Sequence, residues 1–327
     1  MQRRTLMAAM AAATLPVARP HAQGTQPANQ SGNYPDRPIS MIVAYPPGGG
    51  TDIAARTLAQ FLERELGQPI VVLNRAGAGG EIGFGELGRA RPDGYTIGFI
   101  NTPNIVTMPI ERRTAYKLDD IAPIANVVDD PGGFFVLKDS PHKTLADLVT
   151  FAKANPEKVT YATTGVGSDD HLAGLAFSRQ AGIQMTHVPY NGAAQTRNAL
   201  LTRQVTLASV NMSEGLADAQ QGTARALGQM SATRWEGMPD VPTFREQGYD
   251  VIQSSMRGVG APAGVPPQIL NRLAEAMRRI VDNPEFRRLA TQQALPLRYL
   301  GPDEYKAELT TLRTDFEKLW AQHPWRD

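Results

Sequence analysis

The 327-residue sequence contains no cysteine. This absence excludes disulfide bridges, thiolate metal sites and cysteine nucleophiles, and it excludes a lipid-modified N-terminal cysteine as an anchor. Histidine is also scarce: there are five, and none forms the His-x-x-x-His pair that would place two zinc ligands on one helix face. We therefore predict neither a metal site nor a bound cofactor.

The sequence also lacks an excess of either charge, with 33 Lys and Arg against 32 Asp and Glu. Removing a predicted leader, residues 1–22, takes away three arginines, which leaves 30 basic against 32 acidic residues. Such a balance gives no electrostatic basis for binding nucleic acid or an anionic membrane. We expect neither as a partner, and we expect the protein to be a monomer.

Long apolar runs are missing too. The run from Leu6 to Val17 is shorter than the roughly 20 residues that span a bilayer. It follows Arg3-Arg4 and precedes the small residue Ala22, an order typical of a cleavable secretory signal. We predict a signal peptide over residues 1–22, a disordered polar leader over 23–33, and a protein that resides in the periplasm. The export route, general secretory or twin-arginine, stays open.

Beyond the leader, short apolar runs alternate with helical stretches. Because parallel strands need crossover connections, this rhythm predicts an α/β fold with helices covering a parallel sheet. The length remaining after the leader favours two lobes over one core. The predicted strands cover residues 39–45, 70–73, 95–100, 134–137, 159–162, 185–188, 205–210 and 251–259. The predicted helices follow Thr51-Asp52 (ending at Gly67), Gly77–Gly80 and the capping pair Thr144 and Asp147, and cover 268–281, 285–293 and 303–322.

The strongest local motif is Tyr45-Pro-Pro-Gly-Gly-Gly-Thr-Asp52, between a strand and a helix. Glycines allow consecutive N–H groups to converge, and the helix start adds partial positive charge, so the loop can hold an anion without a charged side chain. The Lys-Ser/Thr ending of a phosphate-binding loop is missing. The alternative is a tight turn before a helix that Thr51 and Asp52 cap.

Two other loops invite enzymatic interpretations. Gly77–Gly83 resembles a dinucleotide fingerprint, but Ile82 stands where the third glycine belongs. A dinucleotide-dependent oxidoreductase is therefore the alternative function. Ser168, Asp169 and His171 lie close together in sequence, yet neighbours on one helical turn point in different directions and cannot form a triad.

The loops at Tyr45–Asp52, Thr163–Asp169 and Tyr190–Ala194 share one pattern, a strand followed by small polar residues and a helix. Ligands of open α/β sheets bind outside the carboxyl ends of the strands. Loops of this kind on two lobes therefore predict a cleft that closes on a ligand.

A set of segments together resembles the Bug-type receptors of the tripartite tricarboxylate transporter family. In order along nearly the whole chain after the leader they are Tyr34–Pro38, Tyr45–Asp52, Gln68–Gly80, Pro92–Tyr95, His171–Gly174, His187–Tyr190, Asp240–Thr243 and Ala261–Pro266. The resemblance implies a receptor that catalyses nothing, captures a small organic acid and delivers it to the membrane components of such a transporter. It also implies a type II periplasmic binding protein fold. The two α/β lobes, residues 34–135 with 258–327 and residues 136–257, would be joined by crossing strands near 134–137 and 256–261.

The resemblance further implies a set of ligand-binding residues. Asp169 and Asp170 depart from the family pattern, which usually has small hydroxyl residues there, and Thr206 and Val210 stand where acidic residues are common. A carboxylate facing the cleft would repel a ligand carboxylate and accept an amine or hydroxyl. Whether Asp169 faces the cleft or caps its own helix stays open. The implied residues are Tyr45, Pro47, Gly48, Gly49, Gly50, Thr51, Asp52, Ala78, Asn101, Thr102, Asn104, Thr163, Thr164, Gly165, Ser168, Asp169, Tyr190, Asn191, Gly192, Ala193 and Asn211.

Overall fold

The predicted alternation of strands and helices is present in the computed structural model, which describes residues 34–326. The predicted signal peptide and leader, residues 1–33, lie outside the described residues. In chain order the elements are β1 (Ile39–Val43), α1 (Gly50–Leu66), β2 (Ile70–Asn74), α2 (Glu81–Gly88), β3 (Thr96–Asn101), α3 (Asn104–Glu111), β4 (Ile121–Leu137), α4 (Leu145–Ala154), β5 (Thr160–Thr163), α5 (Asp169–Ala181), β6 (Thr186–Pro189), α6 (Ala193–Leu201), β7 (Leu207–Asn211), α7 (Met212–Gln220), β8 (Ala224–Gln229), β9 (Ser254–Pro262), α8 (Pro267–Asp282), α9 (Pro284–Gln292), β10 (Leu297–Leu300) and α10 (Pro302–Gln322).

The strands pair in two groups that share β4. In the first group β1 lies between β2 and β3 with parallel pairing, and β9 joins β3 to β4 with antiparallel pairing. In the second group β5 lies between β6 and β7 with parallel pairing, and β7 and β8 pair with β4. The partner of β4 changes between Pro131, opposite Ser254 of β9, and Gly132, opposite Asn211 of β7. The division into two lobes at the residues given above stays a prediction.

Helix α1 shows how the sequence builds these elements. The predicted apolar face, Ala54, Leu58, Phe61 and Leu62, is buried, and Gly67 ends the helix in the left-handed conformation at φ 71°. The predicted start is wrong in one respect. The N-cap is Gly49, with no side-chain cap, so Thr51 and Asp52 do not cap the helix and lie inside its first turn.

The strand predictions missed β8, β10 and residues 121–133 of β4. The local sequence does not indicate a strand over most of β4, because Pro123 and the run Asp129–Gly133 interrupt its apolar pattern. Pairing with β9 and β10 along residues 121–131 and with β7 and β8 along residues 132–137 supplies what the local pattern lacks. The predicted capping box of Thr144 and Asp147 at α4 is confirmed.

Apolar packing connects the second group of strands to the first. One core centres on Phe134, Phe177 and Phe244, whose rings contact edge-to-face at centroid distances of 5.1–5.4 Å. The core of the first group includes Leu172 from the beginning of α5. The Thr107 hydroxyl of α3 also donates to the Gly167 carbonyl at 2.8 Å. These contacts place the start of α5 beside the first group of strands. No helix within residues 34–326 has the length and apolarity needed to cross a membrane.

Candidate functional site

A cavity lies where α1, α5, α6 and α7 begin, at the carboxyl ends of the parallel strands. It encloses about 550 Å³ of space free of protein atoms, part of it open to solvent. This is the position that open α/β sheets use for ligands. The lining residues are Tyr45, Pro46, Gly49, Gly50, Thr51, Asn101, Asn104, Thr164, Asp169, Asn191, Gly192, Ala193, Ala194, Gln195, Asn211, Glu214, Ser255 and Arg257.

The start of α1 offers backbone N–H groups to carboxylates. The Gly48 N–H donates to Asp52 Oδ2 at 3.0 Å, and the Gly50 N–H donates to Glu214 Oε1 at 3.3 Å. Gly48 has φ 84°, a conformation that favours glycine, whereas Gly49 has an ordinary extended backbone. N–H groups of this loop therefore bond anionic oxygens of the chain itself, one of them on Asp52 of the same motif, and the anionic ligand stays a prediction.

Gly50 is needed for a different reason, which is the close approach of a buried guanidinium. A Cβ at this position would stand 2.5 Å from Arg257 Nη1. The guanidinium therefore packs directly against the backbone at the start of α1, where it adds positive charge to that of the helix.

Arg257 of β9 is the centre of a buried charged cluster. Its Nη1 lies 2.9 Å from Asp130 Oδ2, and its Nη2 donates to Glu214 Oε1 at 3.0 Å and to Asn211 Oδ1 at 2.9 Å. Burial raises the pKa of Asp130 to about 6, and Arg257 opposes that rise. One cation thus holds two carboxylates that come from β4 and α7.

Asp169 faces the cavity and does not cap α5. The N-cap is Ser168, whose Oγ accepts from the His171 N–H at 3.2 Å. The Asp169 carboxylate, in a residue only 3% exposed, accepts from Asn211 Nδ2 at 2.7 Å and lines the cavity. Burial raises the pKa of Asp169 to about 7, with the nearby Glu214 charge acting in the same direction and the Asn211 hydrogen bond opposing it.

Asp170 has a structural role. Its fully buried carboxylate accepts from the Thr164 hydroxyl at 2.6 Å and from the Thr164 N–H at 3.3 Å, and it does not line the cavity. Burial raises its pKa well above the ordinary value, and the charge of Asp169 adds to that rise. Of the two departures from the family pattern, only Asp169 is available to a ligand.

The structure brings together most of the predicted ligand-binding residues. Tyr45, Gly49, Gly50, Thr51, Asn101, Asn104, Thr164, Asp169, Asn191, Gly192, Ala193 and Asn211 line the cavity. Two of those outside its lining support the loops: Asp52 accepts from the Gly48 N–H, and Ser168 caps α5. The others outside the lining are Pro47, Gly48, Ala78, Thr102, Thr163, Gly165 and Tyr190.

Sequence reasoning missed Glu214 and Arg257, and with them Gln195 and Ser255, whereas Pro46 and Ala194 lie in the predicted cleft loops without being named as ligand-binding residues. Two signals could have found the charged pair. Asn211-Met-Ser-Glu214 is a capping-box pattern directly after a strand, and it forms that box at α7. Arg257 is the only charged residue of β9, and a lone buried arginine requires an acidic partner.

In the glycine loop at residues 77–83, the Ile82 side chain occupies the space beside Gly77. A Cβ at Gly77 would stand 2.5 Å from Ile82 Cδ1, so the glycine makes room for isoleucine. The residue that breaks the dinucleotide pattern therefore occupies the space that the glycine leaves.

Comparisons with known proteins agree on one family. Residues 54–306 match the model of the tripartite tricarboxylate transporter family receptor. The chain is 38% identical to protein BugT of Bordetella pertussis over 72% of this chain and 74% of that one. It is 29% identical to the structure of the periplasmic binding protein BugD, with a TM-score of 0.83 over 90% of this chain and 99% of that one. It is 25% identical to MatC from Rhodopseudomonas palustris with bound malate, with a TM-score of 0.80 over 88% and 99% of the two chains.

These similarities confirm two of the sequence predictions. The fold is the α/β fold of periplasmic binding proteins, and the chain is a solute-binding receptor and not an enzyme. The oxidoreductase alternative receives no support from them.

Proposed function

Because the chain belongs to the tripartite tricarboxylate transporter receptor family, a family of periplasmic solute-binding receptors, we propose a specific kind of ligand for it. The ligand is a small organic acid with one carboxylate and, at its other end, a hydrogen-bond donor in place of a second carboxylate. The observation that carries this proposal is the pair of unlike walls of the cavity. The Gly50 N–H and the adjacent Arg257 guanidinium form part of one wall, and the Asp169 carboxylate forms part of the other.

The start of α1 supports the carboxylate end of the ligand. Its N–H groups bond carboxylates of the chain itself, and the adjacent Arg257 guanidinium contributes positive charge. A related receptor, MatC, has been solved with bound malate, a small carboxylic acid. Charge-assisted hydrogen bonds of this kind are stronger than neutral ones, so a ligand carboxylate gains most at this wall.

Asp169 supports the donor end of the ligand. Two like charges 4 Å apart repel each other by about 4 kcal/mol at an effective dielectric constant of 20. A second ligand carboxylate would meet that repulsion at Asp169, whereas an amine or amide would donate to it. Amino-bearing or aromatic monocarboxylates and their amides therefore suit the cavity better than citrate does.

Native mass spectrometry of freshly purified protein tests the ligand class directly. We expect a retained small molecule that carries a single carboxylate, or its amide, and a donor group. A retained di- or tricarboxylate would contradict the proposal.

We also propose that the receptor is exported with removal of residues 1–22, works as a monomer with a membrane transporter, and closes over its ligand. N-terminal sequencing of the periplasmic form should begin near Gln23, and an intact Met1 in a cytoplasmic fraction would contradict export.

Small-angle scattering should show a smaller radius with bound ligand, because β4 connects the two groups of strands. An unchanged profile at saturation would argue for a rigid site.

A further inference from the structure

The Glu214 carboxylate connects two helix starts and a guanidinium. Its Oε2 accepts from the Asn211 N–H at 3.2 Å, which completes the capping box of α7. Its Oε1 accepts from the Gly50 N–H at 3.3 Å and from Arg257 Nη2 at 3.0 Å. One side chain of α7 therefore occupies the anion-binding position at the start of α1.

A ligand carboxylate that enters the cavity meets Glu214 at this position. Glu214 lines the cavity, and its side chain is 9% exposed. The first N–H groups of a helix favour an anion, and the Gly50 N–H that offers this bond is already donated to Glu214. We propose that Glu214 competes with the carboxylate of the ligand for the donors at the start of α1. Ligand binding then displaces Glu214 Oε1 from Gly50 and Arg257. This inference rests on the proposed function.

The surroundings of Glu214 allow that displacement. Arg257 keeps Asp130 and Asn211 as partners when Glu214 leaves. Glu214 also lines a neighbouring cavity together with Arg197, whose guanidinium pairs with Asp218 at 2.7 Å. Because Arg197 lines the same cavity as Glu214, it is a second cation near a displaced Glu214 carboxylate.

The test is Glu214→Gln, with titrations of 4-aminobenzoate and of its uncharged analogue 4-aminobenzamide. Glutamine retains the shape of the side chain and the capping box and removes the competing charge. We expect 4-aminobenzoate to bind about 10-fold more tightly, a change of about 1.4 kcal/mol, and 4-aminobenzamide to bind as before. The control Glu236→Gln makes the same change in charge at an exposed position. Weaker or unchanged binding of 4-aminobenzoate would overturn the inference.

A measurement without added ligand separates this inference from the proposed function. Hydrogen exchange of the Gly50 amide, followed by NMR, should be slow in the wild type and faster in Glu214→Ala. Fast exchange in the wild type would overturn the inference whatever the protein binds. Slow exchange in a protein that binds no carboxylate would overturn both the proposed function and the competition.

Discussion

Helices α1 and α5 begin at the same cavity with opposite chemistry. The first turn of α1 has a glycine N-cap with no capping side chain. Its own carboxylate, Asp52, accepts from the Gly48 N–H outside the cavity lining, and the Gly50 N–H donates to Glu214 of α7. The first turn of α5 is capped by its own Ser168 and carries the buried carboxylates of Asp169 and Asp170. One helix start therefore offers donors to the cavity, and the other offers an acceptor.

Because of this difference, we expect the two ends of the cavity to favour different groups of a ligand. A helix start alone attracts anions, so two uncapped starts would suit a dicarboxylate. The Asp169 carboxylate at the start of α5 opposes the attraction of that helix start for anions, so the two ends of the site differ in the ligand charge they favour. The proposed ligand class therefore rests on Asp169 more than on any other residue of the cavity.

The largest expected effect comes from removing the cation beside α1. Arg257→Met leaves Asp130 and Glu214 buried without their cation, and breaking a buried pair in this way costs about 3–5 kcal/mol of unfolding free energy. Chemical denaturation measures this loss. Adding Asp130→Asn should restore part of the stability, and Arg203→Met, at an exposed ion pair, should change it little. Unchanged stability in Arg257→Met would contradict the assigned charge network.

Substitutions at Gly49 and Gly50 should distinguish an effect on packing from an effect on ligand access. In Gly50→Ala the new Cβ meets the fixed guanidinium of Arg257, and overpacking of this kind costs about 1–3 kcal/mol. In Gly49→Val the nearest atom to the new Cβ is the Pro46 carbonyl oxygen at 3.9 Å, so thermal stability without ligand should stay near that of the wild type. The valine would still obstruct the cavity, so affinity for 4-aminobenzoate should fall at least about 10-fold. Equal losses of stability in both variants would contradict this distinction.

The pH dependence of the free energy of unfolding should reflect the ionisation of Asp169. The pKa of Asp169 is about 7 in the folded protein, above its ordinary value of 3.8. The folded state therefore binds more protons than the unfolded state between those pH values, and its stability falls as pH rises through that window. Asp169→Asn should make this fall shallower, as urea denaturation from pH 4 to 7 would show, whereas the exposed control Asp240→Asn should keep the wild-type slope. A wild-type slope in Asp169→Asn would contradict the assignment.

Local patterns predicted the helices other than α3 and α7, and most strands, because these elements depend on periodicity and caps near in sequence. The α1 face, the Gly67 end and the Thr144 cap are examples. Residues 121–133 of β4 could not be predicted this way, because pairing with distant strands overrides their interrupted pattern.

The same limit applies to the site. The glycine loop and Asp169 stand out in sequence, whereas Glu214 and Arg257 lie 43 positions apart and meet only after folding. Ser168 caps α5 through a local bond from the His171 N–H, whereas the Asp169 carboxylate is held at the cavity by Asn211, 42 positions away.

The most direct test of the central claim compares three ligands with one ring: 4-aminobenzoate, benzoate and benzene-1,4-dicarboxylate. Calorimetric titration at pH 8, where Asp169 is mainly ionised, should rank the wild-type affinities in that order, with the dicarboxylate weakest. Asp169→Asn should shift the ratio of dicarboxylate to 4-aminobenzoate affinity by at least about 10-fold toward the dicarboxylate. A wild-type preference for the dicarboxylate, or a ranking that Asp169→Asn leaves unchanged, would contradict the account.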